Sequence, residues 1–361
     1  MIAWNPDLVV VEHDAESDRD AWAASRLLGV GGSDAAAVMG ESPHKAPIDV
    51  WTERITGAIS FVDNDRTDMG RILEPVVLDL FATGHPKWPR EGGALTVCKP
   101  PSVYHRSRPW QRGSADGFVY YPEAIDGVLV DGVATRATLW SVLKPDALAE
   151  VKTHGWFGSR AYNLSDDGSP IVSVPPDKRI QCAWYMALFD VDTTYLACLI
   201  DTHLRRTFVI HRDRELEAMI LEEVDQFWTR YVLTGTPPPP DGTDNYKRYL
   251  SQRFKTHTVE LVMATPEVEL AAENLLEIKR QQKGLEKNRD RLEQIIKSHI
   301  GDAMGVKTAV GKITWKEQPS GRLRDKEVRR ALYEALGWTD DEISTFEEKY
   351  KQPDHRVLRT P

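Results

Sequence analysis

The sequence predicts an α/β domain followed by a helical appendage. Three observations carry this: amphipathic helices come first, short strand-like stretches bounded by Gly or Pro follow, and a helix with two further alternating strands comes after them. SDAAAVMG and PIDVWTERITG read as two helices, the second opened by Pro47 in its first turn and stopped by Gly57. MGRILEPVVLDLFATG is a third, closed by Gly84. GALTVC, SADGFVYYP, ATLWSVL and ALAEVKT are short and punctuated, and are expected as strands of a small mixed sheet. A helix is expected from Pro176 to Phe189, then strands in TTYLACLID and RTFVIHR, then a helix over RELEAMILEEVDQFWTRYV.

The run TGTPPPPDGTDN, Thr234 to Asn245, marks a boundary, because consecutive prolines forbid both helix and ladder pairing. Beyond it, Pro266 to Ile300 reads as one long helix, with Leu275, Ile278, Leu285, Leu292, Ile295 and Ile296 spaced three, four or seven apart, or adjacent. Its apolar stripe suits packing on its own domain; a coiled-coil arm is the alternative, weakened by Gln282 and Arg289 in the stripe. A hairpin around Gly311 and one or two helices in DKEVRRALYEALGWTDDEISTFEEKY complete the chain. The expected division is a main domain over 1–235, a Pro-rich linker over 236–258 and a helical appendage over 259–361.

At 361 residues and 41% hydrophobic content the chain can bury a substantial core. No apolar run approaches the ~18 to 20 residues that span a bilayer. The acidic opening MIAWNPDLVVVEHDAESDRD does not resemble a signal peptide, so the cytoplasm is expected. Cys98, Cys182 and Cys198 are far apart and outside any C-x-x-C pair, which argues against disulfides, zinc and iron–sulfur clusters and for small buried hydrophobes. The net charge of -9 argues against a nonspecific nucleic-acid coat but not against a DNA enzyme, whose acidic ligands coexist with local basic clusters. Arg106, Arg108 and Arg112 form one such cluster; Lys178, Arg179, Arg205 and Arg206 lie further along.

The residues suited to chemistry lie in GSADGFVYYP and ALAEVKT. Asp116 stands at the start of one strand, and Glu150 and Lys152 are two apart on another, so their side chains share a sheet face. Two carboxylates and a main-chain carbonyl, that of Val151, are hard oxygen ligands suited to Mg²⁺. Lys152 would then orient or deprotonate the attacking water, its pKa depressed by the neighbouring dication. Alone, this pattern is also what a surface Glu–Lys pair produces. Glu74 adds a carboxylate beside Leu73, Val76 and Val77, on a mostly apolar helix, where an acid needs a cation. Gln181 and Tyr185, spaced i and i+4, share one helix face. Arg26 precedes GVGGSD, whose glycines admit close backbone approach and whose Ser33 opens a helix, as an N-cap or an anion site.

Taken together, Arg26-LLGVGGSDAAAVMGESPHKAPIDVWTERITG, GRILEP, GSADG, AEVK and QCAWYMAL resemble the YqaJ-type viral recombinases, relatives of phage lambda exonuclease in the PD-(D/E)xK nuclease superfamily. All five blocks occur in the family's order, over roughly residues 24 to 200. The resemblance implies a restriction-endonuclease-like core and a 5′-to-3′ exonuclease. Such an enzyme degrades one strand of linear duplex DNA and leaves a 3′ tail for a phage single-strand annealing protein. It implies Asp116 and Glu150 as metal ligands, Glu74 as a further acid near the metals, Lys152 as the catalytic lysine, and Gln181 and Tyr185 as the family's Q-x-x-x-Y element. Arg26, Ser33 and Ser114 fall at the 5′-phosphate pocket, where a guanidinium and two hydroxyls suit a terminal phosphate. The implied cofactor is Mg²⁺, two ions per site and replaceable by Mn²⁺, and homo-oligomers occur in the family.

The stretch between Asp116 and Glu150 is longer than the family's hairpin, so 121–146 is expected as an excursion. Asp146 competes for the metal-binding role, but it follows a proline in a turn, whereas Asp116 matches GSADG. Two further readings remain: a catalytically inactive DNA-end-binding relative, and an endonuclease of the same superfamily. The intact acid–acid–lysine set disfavours the first, since an empty site gives no reason to keep repelling carboxylates together. The 5′-phosphate residues disfavour the second.

Overall fold

The computed structural model describes residues 2–11, 19–58, 65–84, 94–125, 138–155, 162, 174–200, 204–317 and 325–350. Two compact units divide at Leu250 and Ser251.

The first unit is built on a five-stranded mixed sheet in the order β2-β5-β6-β7-β8: β2 Thr96–Cys98, β5 Gly117–Tyr120, β6 Ala147–His154, β7 Thr193–Ile200 and β8 Leu204–His211. All its pairings are antiparallel except β6 with β7. A parallel neighbour needs a crossover, and helix α6, Pro176–Phe189, lies within it. Both faces of the sheet are covered, so β6 is buried from Ala147 to Val151 and reads as a nearly continuous apolar run broken by Glu150.

Alternation divides β6 between two cores. Ala147, Ala149 and Val151 pack with Val77 and Phe81 of α4, Asp65–Thr83, whereas Leu148 joins Phe118, Leu196 and Cys198 in the core that includes α6. Each such buried Val, Leu or Phe contributes about 1.5–3 kcal/mol. Glu150 and Lys152 therefore open on the α6 side. Gly117 is required where it stands: a Cβ there would lie 2.7 Å from Val97 Cγ1.

Helices α2, Gly32–Val38, and α3, Pro47–Thr56, form as expected, α3 with Pro47 at its start and Gly57 at φ 69° closing it. All three cysteines are buried and free. Helix α7, Arg214–Phe227, is capped by Asp213, whose side chain accepts from the Leu216 N–H, and runs into a π-turn over Trp228–Val232.

Several elements differ from expectation. A second sheet, β1-β3-β4, was not anticipated: β1 Leu8–Val10, β3 Val103–His105 and β4 Arg108–Gly113 pair antiparallel. Its strands are short, and Pro109 with His105, Arg108 and Arg112 masks the period-2 pattern. Helix α1, Arg19–Arg26, was also not anticipated. ATLWSVL is not a strand. Leu139–Val142 makes a single helical turn, α5, with Leu139 buried and the Leu143 carbonyl taken by the Tyr120 hydroxyl at 3.2 Å. Of the expected 121–146 excursion, residues 126–137 lie outside the described residues.

The expected spacer is partly a helix. Residues Asp244–Arg253 form α8, where Asn245 bonds Asp49, the Tyr246 hydroxyl donates to the Pro238 carbonyl at 3.0 Å, and the Tyr249 ring stands edge-on to Trp51 at 6.0 Å. The contacts of the buried Tyr246 and the half-buried Tyr249 outweigh the local polarity that suggests an extended run.

In the second unit, α9, Pro266–Ile300, is one continuous helix, begun by Thr265, whose hydroxyl accepts from the Val268 N–H, and ended at Gly301. Strands β9, Gly305–Thr308, and β10, Gly311–Thr314, form the expected hairpin. Helices α10, Asp325–Leu336, and α11, Asp340–Tyr350, follow, with the Trp338 ring stacked on Tyr333 at 5.6 Å. Among the described residues no helix is long and apolar enough to cross a membrane.

Candidate active site

Glu150, 2% exposed, is the centre of a polar cluster enclosed by apolar packing. Its Oε1 accepts from the Lys152 ammonium, two residues along β6, and from Gln181 Nε2 of α6 at 2.6 Å. Its Oε2 is buried with no hydrogen-bond partner among the described residues. Leaving a carboxylate oxygen orphaned costs a few kcal/mol, on the order of 1–3, unless something outside the chain satisfies it.

Asp116 lies one residue before β5, and its Oδ2 accepts the Val151 N–H at 2.7 Å. That amide is available because β5 begins at Gly117, opposite Ala149, and leaves Val151 beyond the ladder. The N–H and C=O of a strand residue leave by the same edge, so the Val151 carbonyl opens toward Asp116 as well. Glu74, on α4, reaches the same end from the other side of the sheet, where its Oε1 accepts from Lys99 Nζ at 2.5 Å. Lys99 Nζ also stands 3.9 Å from Asp116 Oδ1. Asp146 does something different: at the opposite end of β6 its Oδ2 accepts the Tyr121 N–H at 2.8 Å, the work of a turn residue.

Burial and the surplus of carboxylate charge together govern titration here. Burial and the charge of Asp116 push Glu150 up to about 7, against the pull of Lys152. Burial alone would lower Lys152, but Glu150 and Asp116 more than offset it and hold the ammonium charged well above its ordinary range. Burial, Glu150 and Asp116 likewise raise Tyr185. The protein's own groups thus shift Lys152 opposite to the lowering expected from a dication.

Among the described residues no three His, Cys, Asp or Glu side chains converge closely enough to hold an ion by themselves. A hard dication nevertheless fits the donors present. Asp116, the orphaned Oε2 of Glu150 and the Val151 carbonyl are all oxygen, Glu74 stands behind them, and an excess of carboxylate calls for positive charge.

The remaining expected residues border this cluster. Gly32, preceding Ser33, is wedged against α6: a Cβ there would lie 2.9 Å from both Gln181 Cγ and Tyr185 Cζ. Gly113, preceding Ser114, would place a Cβ 3.2 Å from the Tyr185 ring. Gly32 and Gly113, the residues that precede Ser33 and Ser114, thus both border Tyr185 from two chain segments. Ser33 is not the cap of α2; Gly31 is, and it makes no side-chain cap bond. Arg26 ends α1, exposed, with its charge felt by Asp34.

Two groups escaped the sequence reading. Lys99 carried no motif. The other is a buried ion cluster between α2 and α3. Lys45 Nζ bonds Asp34 Oδ1 at 2.7 Å and Glu53 Oε2 at 2.6 Å; the Arg54 guanidinium, 2% exposed, bonds Asp34, Glu53 at 2.9 Å and the Gly29 carbonyl at 2.8 Å. The Gly29–Gly32 turn is also tied to β4, through Val30 N–H to the Trp110 carbonyl at 2.7 Å and Arg112 N–H to the Val30 carbonyl at 3.0 Å. Asp34 inside the apolar GSDAAAV was the available signal, by the logic that pointed to Glu74. Of the basic cluster, Arg106, Arg108 and Arg112 lie on or beside β3 and β4, with the Arg112 guanidinium 5.0 Å over the Tyr104 ring.

Residues 21–195, which contain this whole cluster, match the family model of the YqaJ-like viral recombinase domain. The chain is 25% identical over 325 residues to a Bacillus subtilis (strain 168) protein named uncharacterized protein YqaJ, covering 89% of this chain and 90% of that one. Among solved structures it is similar to an alkaline exonuclease (LHK-Exo) from Laribacter hongkongensis, with a TM-score of 0.43, 19% identity and coverage of 64% of this chain and 97% of that one. A phage-related exonuclease from Haemophilus somnus gives a TM-score of 0.38, 17% identity and coverage of 57% and 95%. The match to the YqaJ-like viral recombinase domain over residues 21–195 spans the middle strands of the mixed sheet and the Asp116, Glu150 and Lys152 cluster upon them.

Proposed function

We propose that this protein is a Mg²⁺-dependent exonuclease that degrades one strand of linear duplex DNA from its 5′ end and leaves 3′ single-stranded tails. The observation that carries the reading is the buried Glu150, bonded to Lys152 and Gln181 through one oxygen, with its second oxygen unpartnered beside Asp116. A metal nuclease makes use of such a carboxylate; a purely structural strand has no use for it.

In this reading Asp116, Glu150 and the Val151 carbonyl hold the ion, with Glu74 in support. The chemistry a bound Mg²⁺ supplies is polarisation of a phosphodiester oxygen and acidification of water. Gln181 fixes the Glu150 carboxylate, and the Val151 amide fixes that of Asp116, so both are preorganised before DNA arrives. Lys152, its ammonium bonded to Glu150, is a charged donor that orients the attacking water and stabilises the charge developing on the scissile phosphate. Arg26, Ser33 and Ser114 receive the terminal 5′-phosphate next to Tyr185. The 5′-to-3′ polarity, the phage annealing partner and homo-oligomer formation rest on the family resemblance alone.

The test is incubation with linear duplex labelled at the 5′ or 3′ end, with and without Mg²⁺, beside a covalently closed circle. Metal-dependent release of 5′ nucleotides with the circle intact is expected. Nicking of the circle would make the protein an endonuclease, and end binding without cleavage an inactive relative.

A further inference from the structure

Lys99 has no part in the chemistry above, yet its position is tightly determined. Strand β2 ends at Cys98, which pairs with Phe118, so the next residue falls across from Gly117 and beside Asp116. Pro100 follows, which bars helical backbone at Lys99 and keeps its root extended. From that root a half-exposed side chain, 53% accessible, places Nζ 2.5 Å from Glu74 Oε1 and 3.9 Å from Asp116 Oδ1.

We propose that Lys99 is a tethered cation that neutralises the Glu74–Asp116 side of the cluster and competes there with the divalent ion, so that it sets the affinity of the site for Mg²⁺. The inference rests on the assignment of Asp116 and Glu150 as metal ligands. Two positive charges drawn to one carboxylate repel each other, and the exposed, flexible lysine stem lets the weaker competitor swing out. A cation released in this way lowers metal affinity without abolishing it. Were Lys99 only a surface partner of Glu74, its pair would be worth little and Mg²⁺ binding would not depend on it.

The experiment is calorimetric titration of Mg²⁺ into the full chain without DNA, for the wild type, Lys99→Met, Lys99→Gln, Lys99→Arg and Asp116→Asn. Both neutral variants are expected to bind Mg²⁺ about tenfold more tightly, a change of about 1.4 kcal/mol. Lys99→Arg, which keeps the charge, should stay near the wild type. In EDTA the neutral variants should melt below the wild type and recover at saturating Mg²⁺. Unchanged or weaker Mg²⁺ binding in folded Lys99→Met and Lys99→Gln overturns the competition. Wild-type Mg²⁺ affinity in Asp116→Asn overturns the ligand assignment itself, and the competition with it.

Discussion

Replacing Arg54 by Met isolates the buried ion cluster that holds the Gly29–Gly32 turn. The guanidinium is 2% exposed and serves Asp34, Glu53 and the Gly29 carbonyl, so its loss leaves two buried carboxylates with Lys45 as the cation that still bonds both. Removing one partner of a buried pair costs about 3–5 kcal/mol, and the bond to Gly29 adds about 1 kcal/mol. For a unit of about this size each kcal/mol moves Tm by about 2–4 °C, so a fall of roughly 8–24 °C is expected. Lys45→Met should cost much less, because Lys45 is 23% exposed and water replaces part of what it provides. The assay is thermal unfolding followed by circular dichroism at pH 7 and pH 3. Lys45, Arg54 and Arg26 outweigh burial and hold Asp34 well below the usual carboxylate range. A carboxylate lowered in the folded state stabilises above its unfolded pKa of about 3.9, and that stability is lost as pH falls below it. The gap between wild type and Arg54→Met should therefore shrink in acid. Equal losses in Lys45→Met and Arg54→Met, or a loss near 1 kcal/mol, would refute the reasoning.

Further outcomes follow from the cluster around Glu150. Lys152→Ala and Glu150→Ala should cut turnover at least ~10²-fold while circular dichroism shows an intact fold; near-normal rates in Lys152→Ala would remove the mechanism. Arg26→Ala should reduce the kcat/KM preference for a 5′-phosphate over a 5′-hydroxyl end by about tenfold or more, the worth of a charge-assisted bond, with little effect on the hydroxyl substrate. Gly32→Ala should destabilise by about 1–3 kcal/mol and lower kcat, because the new methyl displaces Gln181 from Glu150; a wild-type kcat would show that Gln181 does not matter. Burial, then Lys178 and Lys152, lower His154 to about 4. A histidine kept neutral when folded stabilises above its unfolded pKa of about 6.5 and loses that stability as pH falls toward 4. His154→Gln should flatten that slope in unfolding experiments.

The helices and central strands were legible because their patterns are local. Pro47 and Gly57 bound α3, and β6 is a short apolar run that carries Glu150 and Lys152 two apart. Glu150 and Lys152 could be placed on one face from spacing alone, and Gln181 and Tyr185 from a helical period. Two kinds of feature were not legible. Pairings such as β1 with β3 join residues about a hundred positions apart, and no local period encodes them. Charges whose meaning lies in a distant partner were also hidden: Lys99 with Glu74, and Arg54 with Asp34. The helix α8 within the expected spacer belongs to the same class, since Tyr246 and Tyr249 are held by tertiary contacts rather than by the Pro-rich composition around them.

The two ends of the main sheet bear on solubility. An end strand offers unpaired amides and carbonyls to any other chain, the usual start of edge-to-edge association. Here one end strand, β2, is only three residues long and is cut off by Pro100 and Pro101, which cannot donate to a ladder. The other, β8, carries Arg205 and Arg206, whose like charges would face those of a second copy. The prolines that direct Lys99 into the acidic cluster thus also close the sheet, and Pro100→Val with Pro101→Val should make the protein prone to aggregate even where its folded stability is unchanged.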